Sequence, residues 1–316
     1  MKVLVTGGLG YLGGCLVQLL SNSENYEVII GSRKKAIASF APNATVVTTN
    51  WSSQSQLESV CEGVDIIIHL AAMDAENSLA NPVAALEMNG LGTARLLEAA
   101  ISKRVSRFIY LSTSHIYGNI SSGIISEKTF PLPIHPYATS HRAGEDVVFS
   151  SNQLGKIKGI ILRLSNCFGK PADKNANCWN LLVQDLCKQA IENHKLVLKS
   201  DGLQMRNFIP IMEACRAIEH FVKMQPEDNI PPIINIGSTE NMSVLGMAEL
   251  IQARYEFLFK ESLIINRTSP KEGERNQFYK YSIDLLEQTG FHSTKKISST
   301  IDDLLMVCYE NYDSKR

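Results

Sequence analysis

The sequence predicts an α/β fold, a doubly wound parallel sheet with helices on both faces, followed by a smaller α/β C-terminal part. Three observations lead there. Short, near-continuous apolar runs alternate with helical patterns through the first half of the chain, as expected of strands buried on both faces. The first run passes straight into a glycine-rich turn, "VTGGLGYLGG". Beyond about residue 165 the alternation loosens into shorter strands and helices, punctuated by "NIPPII" and "SPKEGERN". The expected division is therefore 1–165 and 166–316, with some segments of the second part returning to the first.

The elements follow in order. "KVLVT" at Lys2–Thr6 reads as the first strand, and a helix is expected over 10–20. "EVII" (27–30) and "TVVT" (Thr45–Thr48) are the second and third strands, "DIIIH" (65–69) the fourth and "RFIYL" (107–111) the fifth. "KGIILRL" (158–164) is the sixth. The clearest helical stretch is 81–103, and another covers 136–153. No repeat or low-complexity tract interrupts this order.

Composition narrows the class. The chain has 316 residues, 44% hydrophobic and 20% charged, which is ordinary for a globular protein. Its 31 Lys and Arg nearly balance 32 Asp and Glu, so no global charge draws it to nucleic acid or membrane. The seven cysteines are odd in number and scattered, without a CxxC pair or a His/Cys cluster; reduced thiols and no metal are expected. "MKVLVTGG" starts at once with a strand and lacks an apolar h-region, and no apolar run reaches the roughly 18 residues of a membrane span. A cytoplasmic protein is the expectation.

Gly7, Gly10 and Gly13 are spaced GxxGxxG, and Gly8, Gly10 and Gly13 also satisfy GxGxxG. With a strand before and an amphipathic helix after, this is the Rossmann dinucleotide-binding context. Residues without Cβ let backbone N–H groups reach a pyrophosphate, and the helix N-terminus adds partial positive charge. The second strand leads into "GSRKK". Gly31 and Ser32 stand where NAD-binding folds place an acid for the ribose hydroxyls. Arg33 follows, suited to pair a 2′-phosphate. NADP(H) is therefore favoured, with NAD(H) the alternative.

In "HPYATSHRAGEDVVF" (135–149), Tyr137, His141 and Glu145 recur every four residues, on one face of a helix. A tyrosine there suits proton exchange with a carbonyl, provided its pKa near ~10 is lowered by a neighbouring cation.

Several segments together resemble the extended short-chain dehydrogenase/reductase family of nucleotide-sugar epimerases, dehydratases and 4-keto reductases. "TGGLGYLG" (6–13) resembles its TGxxGxxG turn, "HLAA" (69–72) the loop under the cofactor, and "MNGLGT" its helix asparagine, here Asn89. "LSTSHIYG" (111–118) resembles the Ser/Thr segment and "PYATSH" (136–141) the YxxxK helix. "LRLSNCFG" (162–169), "QMRNFIPI" (204–211) and "YSIDLLEQTGF" (281–291) are similar to the family's LRxxNxYG strand end, RDFIxV segment and C-terminal helix.

The resemblance implies catalysis by Thr113, Tyr137 and His141. Tyr137 would be the acid/base and Thr113 would hold the same substrate oxygen. Cofactor contacts would come from Gly7, Gly10, Tyr11, Leu12, Arg33, Asn50, Trp51, Leu70, Ala71, Ala72, Asn89, Tyr137 and His141. Substrate contacts would come from Ser114, His115, Asn166, Arg206 and Arg275, the arginines gripping a diphosphate. A homodimer through helices 81–103 and 136–153 is also implied.

The sequence departs from the family at five positions. His141 replaces lysine; it is shorter and charged only below about pH 6.5 if unperturbed. Arg142 lies about 100° round the helix. Ser114 and His115 replace the Asp and Glu of the dehydratases, which disfavours dehydration. Asn207 and Pro210 replace Asp and His or Tyr. Reduction of a 4-keto nucleotide-activated 6-deoxyhexose is the leading expectation. An NAD-dependent NDP-sugar 4-epimerase is the runner-up, and a non-catalytic redox sensor the reading from another class.

Overall fold

The computed structural model describes residues 1–120, 122–225, 228–269 and 278–312. Ten strands position the site: β1 (Lys2–Thr6), β2 (Glu27–Ser32), β3 (Thr45–Thr48), β4 (Ile66–His69), β5 (Arg107–Thr113), β6 (Lys158–Leu164), β7 (Asn166–Phe168), β8 (Met205–Pro210), β9 (Ile233–Ile236) and β10 (Asn241–Ser243). The main sheet has seven parallel strands in the order β9-β6-β5-β4-β1-β2-β3. A smaller sheet runs β10-β8-β7. The main helices are α1 (Tyr11–Ser21), α2 (Gln54–Cys61), α3 (Gly92–Ser102), α4 (Pro136–Gln153), α5 (Leu182–Asn193), α6 (Ile211–Lys223), α7 (Val244–Phe259) and α8 (Ile297–Tyr312).

Alternation along each strand divides the core into two layers. Val3, Val5, Ile66 and Ile68 face α1 and α6 and pack with Leu16, Leu20 and Phe221. Leu4, Ile67 and Phe108 face the other way, with Leu57 of α2, Leu96 of α3 and Val148 of α4. Burying each such side chain contributes about 1.5–3 kcal/mol. A separate apolar cluster joins α5, α7 and α8 through Leu186, Met247 and Leu304. The sheet order reverses between β1 and β4, and a crevice at such a switch point is where this fold places its ligand.

Two expected helices differ from what folds. The stretch 81–103 is not one helix: a short turn at Pro82–Ala85 widens into a π-helix at Leu86–Leu91 before α3 begins. The Thr93 hydroxyl donates to the Asn89 carbonyl at 2.6 Å, a side-chain bond that competes with the regular backbone ladder. At the C-terminus, 281–291 is not the terminal helix. It holds the end of the strand Tyr279–Tyr281, which pairs with Gly123–Ile125, and a short helix at Asp284–Gln288. The long terminal helix is α8.

All seven cysteines are free, six of them buried. Among the described residues no helix is long and apolar enough to cross a membrane. Among the same residues, no group of three or more His, Cys, Asp or Glu is placed to hold a metal.

Candidate active site

The glycine turn closes against the loop after β4. Gly7 has φ +75°, and a Cβ there would lie 2.7 Å from the Ala71 amide nitrogen. At Gly13 a Cβ would meet the Gly7 carbonyl oxygen at 2.1 Å. Both positions therefore require glycine for steric reasons. Gly10, the N-cap of α1, has no side-chain cap, and an added Cβ would meet only the Gly7 carbonyl oxygen within 4 Å. The first-turn amides of α1 thus face an open cradle, with the partial positive charge of the helix end behind it. Leu70 and Ala71 are held under this turn by hydrogen bonds from their amides to Thr6, at 3.1 and 3.4 Å. The Tyr11 phenol points away, donating to the Gly169 carbonyl at 2.8 Å and accepting from Gln184.

At the end of β2, Gly31 is buried against Thr49. Arg33 is exposed, and among the described residues its guanidinium makes no ion pair. Asn50 is exposed and its side chain accepts the Ser52 amide at 3.0 Å. Trp51 turns its ring toward His69, with centroids 5.6 Å apart.

Thr113, Tyr137 and His141 come together where β5 ends against α4. Burial pushes the Tyr137 phenol up to about 12, and the neighbouring Thr113 side chain works against that rise. Thr113 also accepts the His115 amide at 3.2 Å. His141 is 3% exposed, and burial, then the nearby His115, hold its pKa down at about 4. It is a neutral imidazole at physiological pH. Its Nδ1 lies 3.1 Å from the Tyr110 hydroxyl, and among the described residues its buried Nε2 has no hydrogen-bond partner. Buried polar atoms are rarely left so.

The other members of that helix face have different work. Glu145 is 1% exposed and forms a bidentate ion pair with Arg163, at 2.9 and 2.7 Å. Its carboxylate is committed to that ion pair. Arg142 is held by Asp146 at 2.6 Å and Glu145 at 3.5 Å, so it does not replace the missing lysine. Asn89 donates to Ser140 at 2.9 Å and accepts the Met73 amide at 2.7 Å, locking the π-helix to α4.

Beyond Thr113, a cleft of about 540 Å³ is lined by Ser114, His115, Asn166, Arg206, Tyr279 and Tyr281, among others. That volume is within the roughly 300–1,000 Å³ of small-molecule sites. His115 stands between this cleft and Tyr137, ring centroids 6.1 Å apart. Its pKa is lowered by burial, then by Arg206 and His135. Asn166 donates to the Asn207 carbonyl at 3.0 Å. Asn207 is fully buried and ties β8 to the Ser238, Glu240 and Asn241 loop. Arg275 lies outside the described residues.

Tyr110, against His141, and Tyr117, Tyr279 and Tyr281, in the cleft wall, were not expected at the site from the sequence. Tyr110 sits inside an apolar run that reads as core. Tyr117 could have been found, since it ends the same "STSHIY" segment as Thr113.

The residues fit a dinucleotide on the structure's own terms: a Cβ-free cradle, an uncapped helix end and an unpartnered Nε2. Comparisons with known proteins agree. A model of the NAD dependent epimerase/dehydratase family matches residues 3–237. The Bacillus subtilis protein YtcB, named an uncharacterized UDP-glucose epimerase, is 31% identical over 268 residues, covering 80% of this chain and 81% of that one. Human dTDP-D-glucose 4,6-dehydratase is 30% identical over 267 residues, covering 79% and 73%. The Bacillus cereus UDP-glucuronic acid 4-epimerase, solved in complex with UDP-glucuronic acid and NAD, has a TM-score of 0.82 at 25% identity, covering 99% and 100%. The chain belongs to the NAD dependent epimerase/dehydratase family, a branch of the extended short-chain dehydrogenase/reductases.

Proposed function

We propose that the protein exchanges hydride and proton at C4 of a nucleotide-activated hexose, with Thr113 and Tyr137 as the proton-handling pair. The observation that carries this is the meeting of Thr113, Tyr137 and His141 beside a cleft lined by Asn166 and Arg206. Thr113 holds the C4 oxygen, and the Tyr137 phenol gives or takes its proton. Asn166 and Arg206 bind the nucleotide diphosphate, for which a forked guanidinium is well shaped. Gly7, Gly10 and the amides of Tyr11 and Leu12 would hold the pyrophosphate of NAD(H), with Leu70, Ala71 and Ala72 beneath it and Asn50 and Trp51 toward the adenine. Asn89, through Ser140, and His141 would support the nicotinamide ribose. When bound, the dinucleotide supplies the hydride chemistry.

Epimerisation at C4 with NAD(H) is the reading in best accord with the relatives, whose names include a UDP-glucose epimerase and a UDP-glucuronic acid 4-epimerase with NAD. Ser114 and His115 are not the acids of a dehydratase, so the likeness to the human enzyme does not extend to its elimination step. A second reading, reduction of a 4-keto sugar by NADPH, is favoured by two observations. Among the described residues Arg33, at the end of β2, makes no ion pair. A neutral His141 also leaves Tyr137 protonated, the form that donates to a ketone.

Incubation with a panel of nucleotide hexoses and their 4-keto derivatives, followed by proton NMR and by absorbance of the reduced dinucleotide, separates the two. C4 inversion without net dinucleotide consumption supports the epimerase; NADPH consumption with a 4-keto sugar supports the reductase. Neither signal with any sugar would overturn the proposal.

The reading includes a homodimer. Leu79, Val83 and Leu86 are exposed before the π-helix and within it, and Phe149 is exposed on α4, an apolar surface that a second copy would cover. Sedimentation would show twice the chain mass.

A further inference from the structure

Among the described residues the His141 ring is hydrogen-bonded at one nitrogen only, and its partner is a tyrosine on a neighbouring strand. The Tyr110 hydroxyl, on β5, lies 3.1 Å from Nδ1 and 3.3 Å from the His141 carbonyl. The two rings are 6.0 Å apart. This close approach of strand to helix is possible because Gly144 follows one turn later. A Cβ at Gly144 would lie 2.3 Å from the Tyr110 oxygen.

The direction of the hydrogen bond follows from the neighbouring polar groups. The His141 carbonyl already accepts an amide four residues on within α4. Thr93 gives its proton to the Asn89 carbonyl at 2.6 Å, and its oxygen lies 3.0 Å from His69 Nε2. His69 Nδ1 lies 2.6 Å from the Thr6 hydroxyl. The carbonyl keeps a second lone pair, but Nδ1 is the nearer of the two acceptors that the Tyr110 hydroxyl meets, and an unprotonated imidazole nitrogen accepts.

We propose that Tyr110 is a positioning residue for the reaction: it donates to His141 Nδ1, fixing the neutral imidazole as the Nε2–H tautomer. The one unpartnered nitrogen of the ring is then an obligate donor. A chain without the family's lysine thus regains one of its donors, to a ribose hydroxyl, but not its charge. The inference rests on the dinucleotide site proposed above. It is separable from it, because it concerns which ring nitrogen carries the proton.

The test is NMR of protein labelled with 15N in histidine, together with calorimetric titration of NAD(H). Wild-type His141 is expected to show a protonated Nε2 and an unprotonated Nδ1. Tyr110→Phe should lose that fixed tautomer and weaken dinucleotide binding about five- to tenfold, the effect of one hydrogen bond. In a His141→Lys background Tyr110→Phe should leave binding unchanged, which a merely structural role of Tyr110 would not do. A protonated Nδ1 in the wild type overturns the inference, even if Tyr110→Phe does not fold. An equal loss of binding in both backgrounds overturns it too. Wild-type protein that binds no dinucleotide defeats the site proposal itself, and the histidine spectrum still decides the tautomer.

Discussion

The imidazole of His141 stands edge-on to the phenol ring of Tyr137, with centroids 4.5 Å apart and planes 68° from parallel. In the pattern this chain resembles, that neighbour is a lysine whose charge lowers the tyrosine pKa. Here the neighbour is neutral, and burial dominates both groups, pushing Tyr137 up to about 12 and His141 down to about 4. The departure changes the proton chemistry without dismantling the site.

Tyr137→Phe removes the proposed proton donor and keeps the ring packing. Turnover should fall by about 100-fold to 10,000-fold, while calorimetry shows dinucleotide affinity within a few fold of wild type. Undiminished turnover would remove Tyr137 from the mechanism.

His141→Lys restores a cation beside Tyr137. An opposite charge at this range favours the phenolate, so the pH-rate profile for oxidation of a C4 hydroxyl should move to lower pH by about one unit or more. The reductive direction, which uses the phenol, should change little near neutrality.

Neutral buried histidines make the fold acid-sensitive. His141 falls to about 4 and His69 to about 3, each mainly through burial. Between these values and the ordinary ~6.5 the unfolded chain binds protons that the folded chain does not, so stability declines as pH falls through that window. For His141 alone the loss is about 3 kcal/mol by pH 4. Denaturant melts from pH 7 to pH 4 measure it, and His141→Gln should flatten the slope.

Glu145→Gln leaves the Arg163 guanidinium, 1% exposed, without its carboxylate. Stripping one partner from a buried pair costs about 3–5 kcal/mol, readable as a lower midpoint in urea. Lys2 with Glu27, an exposed pair 3.7 Å apart, should show under about 1 kcal/mol in the same assay.

Local pattern carried much of this structure. The strands from Lys2–Thr6 to Lys158–Leu164 announce themselves as apolar runs, and the glycine spacing marks the cradle, because both depend on neighbours along the chain. What depended on distant partners stayed hidden. Glu145 looked like part of a catalytic face until Arg163, 18 residues on, claimed it. Tyr110 looked like core because its polar role exists only once α4 lies across β5. Tyr279–Tyr281 joins the cleft wall by pairing with Gly123–Ile125, a contact no local period reveals. The π-helix at Leu86–Leu91 hides inside a regular apolar helical pattern.

The central claim is that the Tyr137 phenol serves a C4 oxygen while hydride moves. Its most direct test runs the wild type and Tyr137→Phe in deuterated water with a nucleotide hexose, reading C4 by NMR. The account predicts that the wild type alone converts C4, with its configuration inverted and no deuterium on the carbon, because hydride leaves and returns without meeting solvent. Deuterium at C4, or equal conversion by both proteins, would contradict it.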